Sequence, residues 1–220
     1  MRLVIIRHGE TDWTVNGRYT SSTDVGLTAN GREQGASLRV LVQRVLHGQR
    51  AVLVCSPRRR ATATAALALP AHRVIIDPLV AEYDYGRYEG LTAQQIRHLA
   101  PGWDIWIDGC PGGENAADVG RRADAFLRSR AENGTWPVVV ITHGHFSRIL
   151  AARALGLAPE YGRLFASATA AVSLIEDHHG ERCIGLWNAD AQLLAGAADH
   201  TEHPGGPRPV PRLRAAGLLT

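Results

Sequence analysis

The sequence contains no lysine: all 24 basic residues are arginine, against 21 acidic residues, for a formal charge of +3. Arginine stays protonated and offers a planar fork matched to phosphate or carboxylate, although a codon bias that leaves guanidinium groups solvating the surface gives the same composition. The small net charge says little about partners, so position must say more. Cysteine is scarce. Cys55, Cys110 and Cys183 are odd in number, far apart and without any CxxC spacing, which excludes a disulfide framework and a zinc motif and makes a reducing, cytoplasmic setting the default. Long apolar runs are missing too. The longest, such as Val138-Val139-Val140-Ile141, fall far short of the ~20 residues of a membrane span, and Met1-Arg2 leads straight into a strand-like run. Neither signal peptide nor membrane anchor is therefore expected. With 45% hydrophobic and 20% charged residues over 220 positions, the composition excludes disorder and fibrous repeats and suits one globular domain.

What is present alternates between strand and helix patterns. Residues 2 to 6 read as a buried strand, followed by a polar loop and a helix with Leu38, Leu41, Val42 and Val45 on one face. Residues 51 to 55 and 73 to 76 read as strands flanking an alanine-rich helix over residues 58 to 69. Thr92 with Gln95 three residues on predicts a capping box. Val119, Ala123, Phe126 and Leu127 mark a further helix, expected to begin near Glu114 and to aim its amino end at the site. Residues 137 to 142 form the most apolar strand, residues 146 to 155 a helix, and residues 170 to 175 and 182 to 187 a hairpin that turns at His178-His179-Gly180. This order predicts a three-layer α/β/α sandwich on a mostly parallel sheet. A single domain over residues 1 to 195 is expected, with a mobile Pro/Gly-rich tail over 196 to 220.

Ligands of open α/β sheets bind beyond the carboxyl ends of the strands. There the chain puts Arg7-His8-Gly9-Glu10-Thr11, Ser56-Pro57-Arg58-Arg59-Arg60 and His143-Gly144-His145. Each segment alone has an ordinary reading as a satisfied polar strand end or a solvated helix start. Their convergence suits a phosphoryl group, whose charge must be offset before a nucleophile approaches. A neutral imidazole nucleophile meets no like-charge repulsion there and needs no metal. It does need an acid for the leaving alcohol. No further ligand at metal spacing accompanies His178 and His179, and the Arg58-Arg60 triplet lacks interleaved aromatics, so neither a zinc site nor a nucleic-acid surface is expected.

Leu3-Val4-Ile5-Ile6-Arg7-His8-Gly9-Glu10-Thr11 resembles the signature of the histidine phosphatase superfamily, the phosphoglycerate mutase-like fold. The resemblance runs over most of residues 2 to 190. It continues in Gly17-Arg18, Leu27 to Gly31, Cys55-Ser56-Pro57 with Arg60, Glu82 with Tyr85-Gly86, Glu89-Gly90, Pro111 to Glu114 and Val140 to Gly144. It implies that His8 is the nucleophile, that Arg7, Arg60 and His143 hold the phosphoryl oxygens, and that Glu82 protonates the leaving oxygen and later activates water. A carboxyl among cations serves as an acid only if burial or low pH keeps it protonated part of the time, so an acidic optimum is expected. Many members carry asparagine, glutamine and glycine where this chain has Thr14, Thr20 and Ser21. These hydroxyls are candidate phosphate contacts, with ordinary loop roles as the alternative. Glu10 is expected to support the loop, and Arg58 and Arg59 to face solvent.

Residues 82 to 92, Trp103 to Cys110 and His143 to Arg148 are similar to a branch holding bacterial acid phosphatases and sedoheptulose-1,7-bisphosphatases. The arginine pair of the mutases is missing from this stretch. The resemblance thus implies a metal- and cofactor-independent phosphatase of small phosphorylated metabolites. A sugar bisphosphate would meet Arg97, Arg148 or His145 with its second phosphate. A bisphosphate-dependent phosphoglycerate mutase is the alternative enzyme, and a non-catalytic phospho-ligand protein the alternative class. A homodimer paired through an edge strand is compatible with this sheet.

Overall fold

The computed structural model describes residues 1–134 and 136–190. The expected domain boundary near 195 and the tail over 196–220 lie outside the described residues. The strands are β1 (Arg2–Arg7), β2 (Val52–Cys55), β3 (Val74–Ile76), β4 (Val138–Thr142), β5 (Val172–His178) and β6 (Glu181–Ala189). They form one sheet in the order β3-β2-β4-β1-β5-β6. The first four named run parallel to one another, while β5 pairs antiparallel with β1 and β6 antiparallel with β5, so that this hairpin completes one side of the sheet. The helices are α1 (Asp12–Val15), α2 (Ala29–Leu46), α3 (Arg59–Ala68), α4 (Ala93–Leu99), α5 (Ala116–Glu132) and α6 (Gly144–Ala154).

Why the sheet has helices on both faces is visible in β1 and β4. All five residues of β4 are buried, as are Leu3 to Ile6 of β1, so neither strand has a face for water. Successive side chains point to opposite faces. Leu3, Ile5, Val138 and Val140 accordingly join the core under α5 and α6, with Phe126, Phe146 and Ile149. Val4, Ile6, Val139 and Ile141 join the core under α2 and α3, with Leu38, Leu41, Val42 and Ala65. The register that pairs Val4 with Val139 and Ile6 with Ile141 keeps the two sets apart, and the three-layer sandwich expected from the sequence follows.

Three details place the site. The carboxyl ends of β1, β2 and β4 lie side by side and deliver Arg7-His8, Ser56 and Thr142-His143 to one edge. The loop after β1 is pressed onto the start of α2: Glu10 accepts from the Thr28 hydroxyl at 2.8 Å and the Asn30 amide at 2.9 Å, the supporting role expected of it. Contact is so close that a Cβ on Gly31 would stand 2.1 Å from the Glu10 carbonyl oxygen, which only glycine avoids. Finally, α6 begins at Gly144 immediately after β4, earlier than expected, so its first turn faces the site.

Two expectations are corrected. Helix α5 begins at Ala116, capped by Asn115 in a box with Asp118, and Glu114 instead receives the Asp84 N–H and pairs with Arg122 at 2.7 Å. The amino end near the strand termini is that of α6. Arg58, expected to face solvent, is half-buried. Thr92 and Gln95 do form the predicted capping box, and Trp103 and Trp106 are buried against the domain. Among the described residues no helix is long and apolar enough to cross a membrane.

Candidate active site

A cleft of about 230 Å³ opens at this edge, lined among others by Arg7, His8, Arg18, Tyr19, Glu82, Tyr85, His145 and Arg148. His8 follows β1 directly, and its backbone N–H continues the sheet by donating to Thr142 O at 2.9 Å. Its Nδ1 lies 2.7 Å from Gly9 O. A carbonyl accepts only, so Nδ1 carries the proton and Nε2 keeps the lone pair. Burial, reinforced by Arg7 and Arg60, holds the imidazole well below the usual range, so it is neutral.

Beneath His8 lies a buried layer. Arg60 has no exposed surface, and its Nε donates to His143 Nδ1 at 3.2 Å. That bond makes Nδ1 of His143 the acceptor, so Nε2–H donates to Ser56 Oγ at 2.7 Å. Burial and then Arg60 hold this imidazole neutral as well, and the His8 and His143 rings meet edge-on at 5.1 Å. Its Nη1 donates to the Thr23 carbonyl and its Nη2 to the carbonyls of Thr20 and Ser21. The loop that supplies those carbonyls is itself clamped from behind. Glu89 accepts from the Ser21 N–H, the Ser21 hydroxyl at 2.6 Å and the Thr23 N–H at 2.9 Å. These bonds outweigh the burial that opposes them and hold the Glu89 carboxyl below its ordinary value.

Glu82 stands across the cleft on the segment before the first tyrosine of Tyr83-Asp84-Tyr85. Its Oε1 accepts the N–H groups of Tyr83 and Phe146, both at 2.9 Å, and Oε2 accepts that of His145 at 3.2 Å. The last two donors belong to the first turn of α6, which is why the strand-to-helix junction fixes the carboxylate in place. Arg7 donates to the Ser167 carbonyl, and Gly144 gives it room, since a Cβ there would stand 3.3 Å from its Cζ. Arg148 is anchored by the carbonyls of Gly162 at 3.0 Å and Arg163 at 3.1 Å and lies 4.5 Å over the Trp106 ring. Neither Arg7, Arg18 nor Arg148 has a carboxylate within ion-pair distance among the described residues, so the cleft carries unpaired positive charge.

The nine candidates from the sequence thus divide. Arg7, His8, Glu82, Thr14, Thr20 and His145 line the cleft, whereas Arg60 and His143 lie under it. The Thr14 hydroxyl is engaged in the capping box of α1 with Thr11, and the Thr20 hydroxyl donates to Arg18 O. Ser21 sits off the cleft and serves the Glu89 clamp. Arg97 is on the exposed side of α4 and is not among the residues lining the cleft. Sequence reasoning passed over Tyr19 and Ser167, lone polar residues in loops that no spacing marks. Among the described residues no group of three or more His, Cys, Asp or Glu converges as metal ligands do, at the His178-His179 turn or elsewhere.

The family model described as histidine phosphatase superfamily, branch 1, matches residues 3–190. An acid phosphatase of Mycobacterium tuberculosis is 41% identical over 200 residues, covering 89% of this chain and 97% of that one. Sedoheptulose 1,7-bisphosphatase of Saccharomyces cerevisiae is 32% identical over 184 residues, covering 71% of this chain and 68% of the yeast enzyme. A solved open-reading-frame product of M. tuberculosis superposes with a TM-score of 0.81 at 39% identity, over 86% of this chain and 98% of its own.

Proposed function

The chain belongs to branch 1 of the histidine phosphatase superfamily, and from that membership we propose that it is a metal-independent phosphomonoesterase of small phosphorylated metabolites, working through a phosphohistidine on His8. The observation that carries this reading is the His8 tautomer: Nδ1–H is spent on Gly9 O, leaving the Nε2 lone pair for a cleft whose arginines are unpaired. Nε2 attacks phosphorus as the ester C–O oxygen departs, and Glu82 protonates that oxygen. Water, deprotonated by Glu82, then attacks the phosphohistidine and releases phosphate with His8 restored. Arg7 meets the phosphoryl oxygens directly. Arg60 and His143 support them from below, and an oxygen reaches Arg60 by replacing one of its loop carbonyls.

Low pH suits both partners, because Glu82 must carry a proton when the ester breaks and His8 keeps its lone pair there. An acidic optimum is therefore part of the proposal. A second phosphate of a sugar bisphosphate would meet Arg148, whose guanidinium is held without a carboxylate. His145 cannot share that task by charge, since burial and Arg148 push it down to about 3.

The test is phosphate release in the presence of chelator across pH 4 to 8. The panel is p-nitrophenyl phosphate, sugar mono- and bisphosphates, and 3-phosphoglycerate with its bisphosphate primer. Turnover that survives chelation, peaks on the acid side and disappears in His8→Ala is expected. Activity retained in His8→Ala, or lost to chelator, would overturn the mechanism, and interconversion of phosphoglycerates without phosphate release would make the chain a mutase.

A further inference from the structure

One buried contact in the cleft is left unused by the mechanism above. The Tyr85 hydroxyl lies 2.8 Å from His145 Nδ1, and Tyr85 is only 2% exposed. Burial, with Glu82 next, holds the phenol well above its ordinary value, so it is a donor rather than a phenolate. No other acceptor for that hydroxyl stands among the described residues. If His145 Nδ1 carried the proton, two donors would face each other or the buried O–H would point at nothing, an outcome that buried hydroxyls avoid. Tyr85 therefore donates, Nδ1 accepts, and the proton of the neutral imidazole resides on Nε2.

The ring cannot easily leave this state. Tyr19 stacks on it at 5.7 Å with 24° between planes, and Trp106, Tyr85 and Tyr83 close around it at 5.3, 5.7 and 6.0 Å. A flip would set a carbon against the Tyr85 hydroxyl. Nε2 has no protein partner among the described residues, and the ring lines the cleft. The backbone N–H of the same residue donates to Glu82 Oε2 at 3.2 Å, and Glu82 lines the same cleft as this imidazole.

We propose that Tyr85 and His145 form a tautomer-fixing pair that presents His145 Nε2–H to the substrate as an uncharged donor, favouring phosphate esters with a hydroxyl or ring oxygen next to the scissile bond. His145 is then a specificity residue and Tyr85 its positioning residue. The substrate class this selects is polyhydroxylated, sugar-like phosphate over simple aryl phosphate. The inference rests on the phosphomonoesterase reading for its consequence but not for its geometry.

Two-bond 1H–15N correlation of the imidazoles, assigned by comparison with His145→Gln, reads the tautomer without turnover. The expected signal is Nε2–H for His145 from pH 5 to 7, replaced by a tautomer mixture in Tyr85→Phe. In kinetics, His145→Phe should lower the ratio of kcat/KM for a sugar phosphate to that for p-nitrophenyl phosphate roughly tenfold, the weight of one hydrogen bond. His145→Gln, whose amide can donate in the same direction, should restore part of that ratio. An Nδ1–H signal in the wild type, or equal losses on both substrates, would overturn the proposal. A wild type that releases phosphate from no ester would refute the phosphomonoesterase reading and the selection with it, whereas the tautomer fails only on its own signal.

Discussion

Acidification from pH 7 to pH 4.5 should unfold this protein more readily, and His145 supplies one separable part of the effect. In the unfolded chain an imidazole titrates near 6.5, whereas in the folded protein His145 is pushed down to about 3 by burial first and Arg148 second. Between those values the unfolded chain binds a proton that the folded protein refuses, so unfolding free energy falls as pH falls through that window. The slope is about 1.4 kcal/mol per pH unit, which amounts to about 3 kcal/mol at pH 4.5. Because one side of the ring meets the cleft, that figure is an upper bound. It is still a large share of the roughly 5–15 kcal/mol that stabilises an ordinary domain. His8 and His143 act in the same direction. Glu89, held below its ordinary value, contributes stability that is lost only as pH falls below the usual carboxyl range, so measurements above pH 4.5 leave it out. Urea unfolding of the wild type and His145→Gln at pH 4.5 to 7.5 isolates the residue. The variant should lose up to about 1.4 kcal/mol per pH unit from the wild-type slope below pH 6.5. Parallel slopes would refute the argument, since they would mean that His145 takes up its proton in the folded protein.

Gly31→Ala should destabilise the fold by about 2 kcal/mol or more and lower kcat/KM, because the added Cβ would lie 2.1 Å from the Glu10 carbonyl and push the loop that carries His8. The sign is informative in thermal unfolding, as a glycine-to-alanine change inside a helix otherwise gains up to about 1 kcal/mol. Glu89→Gln should raise KM for phosphate esters with a kcat/KM loss on the order of tenfold to a hundredfold, since the loop whose carbonyls hold Arg60 loses charged acceptors worth about 1.5–3 kcal/mol each. Steady-state kinetics beside Glu89→Asp would check it, with unchanged KM in both variants counting against the clamp.

Much of this was legible in the sequence because it is carried by local pattern. The continuous apolar runs of β1 and β4 announce strands covered on both faces, and Thr92 with Gln95 announces its own helix start. Arg7, His8 and His143 were found because Arg7 closes β1 and the two histidines stand directly after β1 and β4. The hydroxyls were harder to read. Thr14 is occupied by the cap of α1, three residues away, but Ser21 belongs to Glu89, 68 residues on, and nothing in its own neighbourhood says so. The amino end that faces the site was assigned to α5 from Glu114, whose carboxylate turned out to serve Arg122, while α6 starts two residues before the apolar pattern that marks it. The Tyr85–His145 contact spans 60 residues between two segments that each look complete alone.

The absence of lysine has its consequence in the same cleft. Burial is the largest influence on Arg7, Arg60 and Arg148 as it is on His8, His143 and His145, and it lowers all six. The outcome differs because the starting points differ. A guanidinium begins far above neutrality and remains a cation at any working pH, whereas an imidazole begins at 6.5 and is left neutral. A lysine in place of Arg60, fully buried beside two imidazoles, would itself be open to losing its proton. One physical effect, desolvation, therefore sorts these side chains into fixed positive charges that hold an anion and an uncharged nucleophile that can approach it. The sorting holds as pH falls, until stability rather than chemistry gives way.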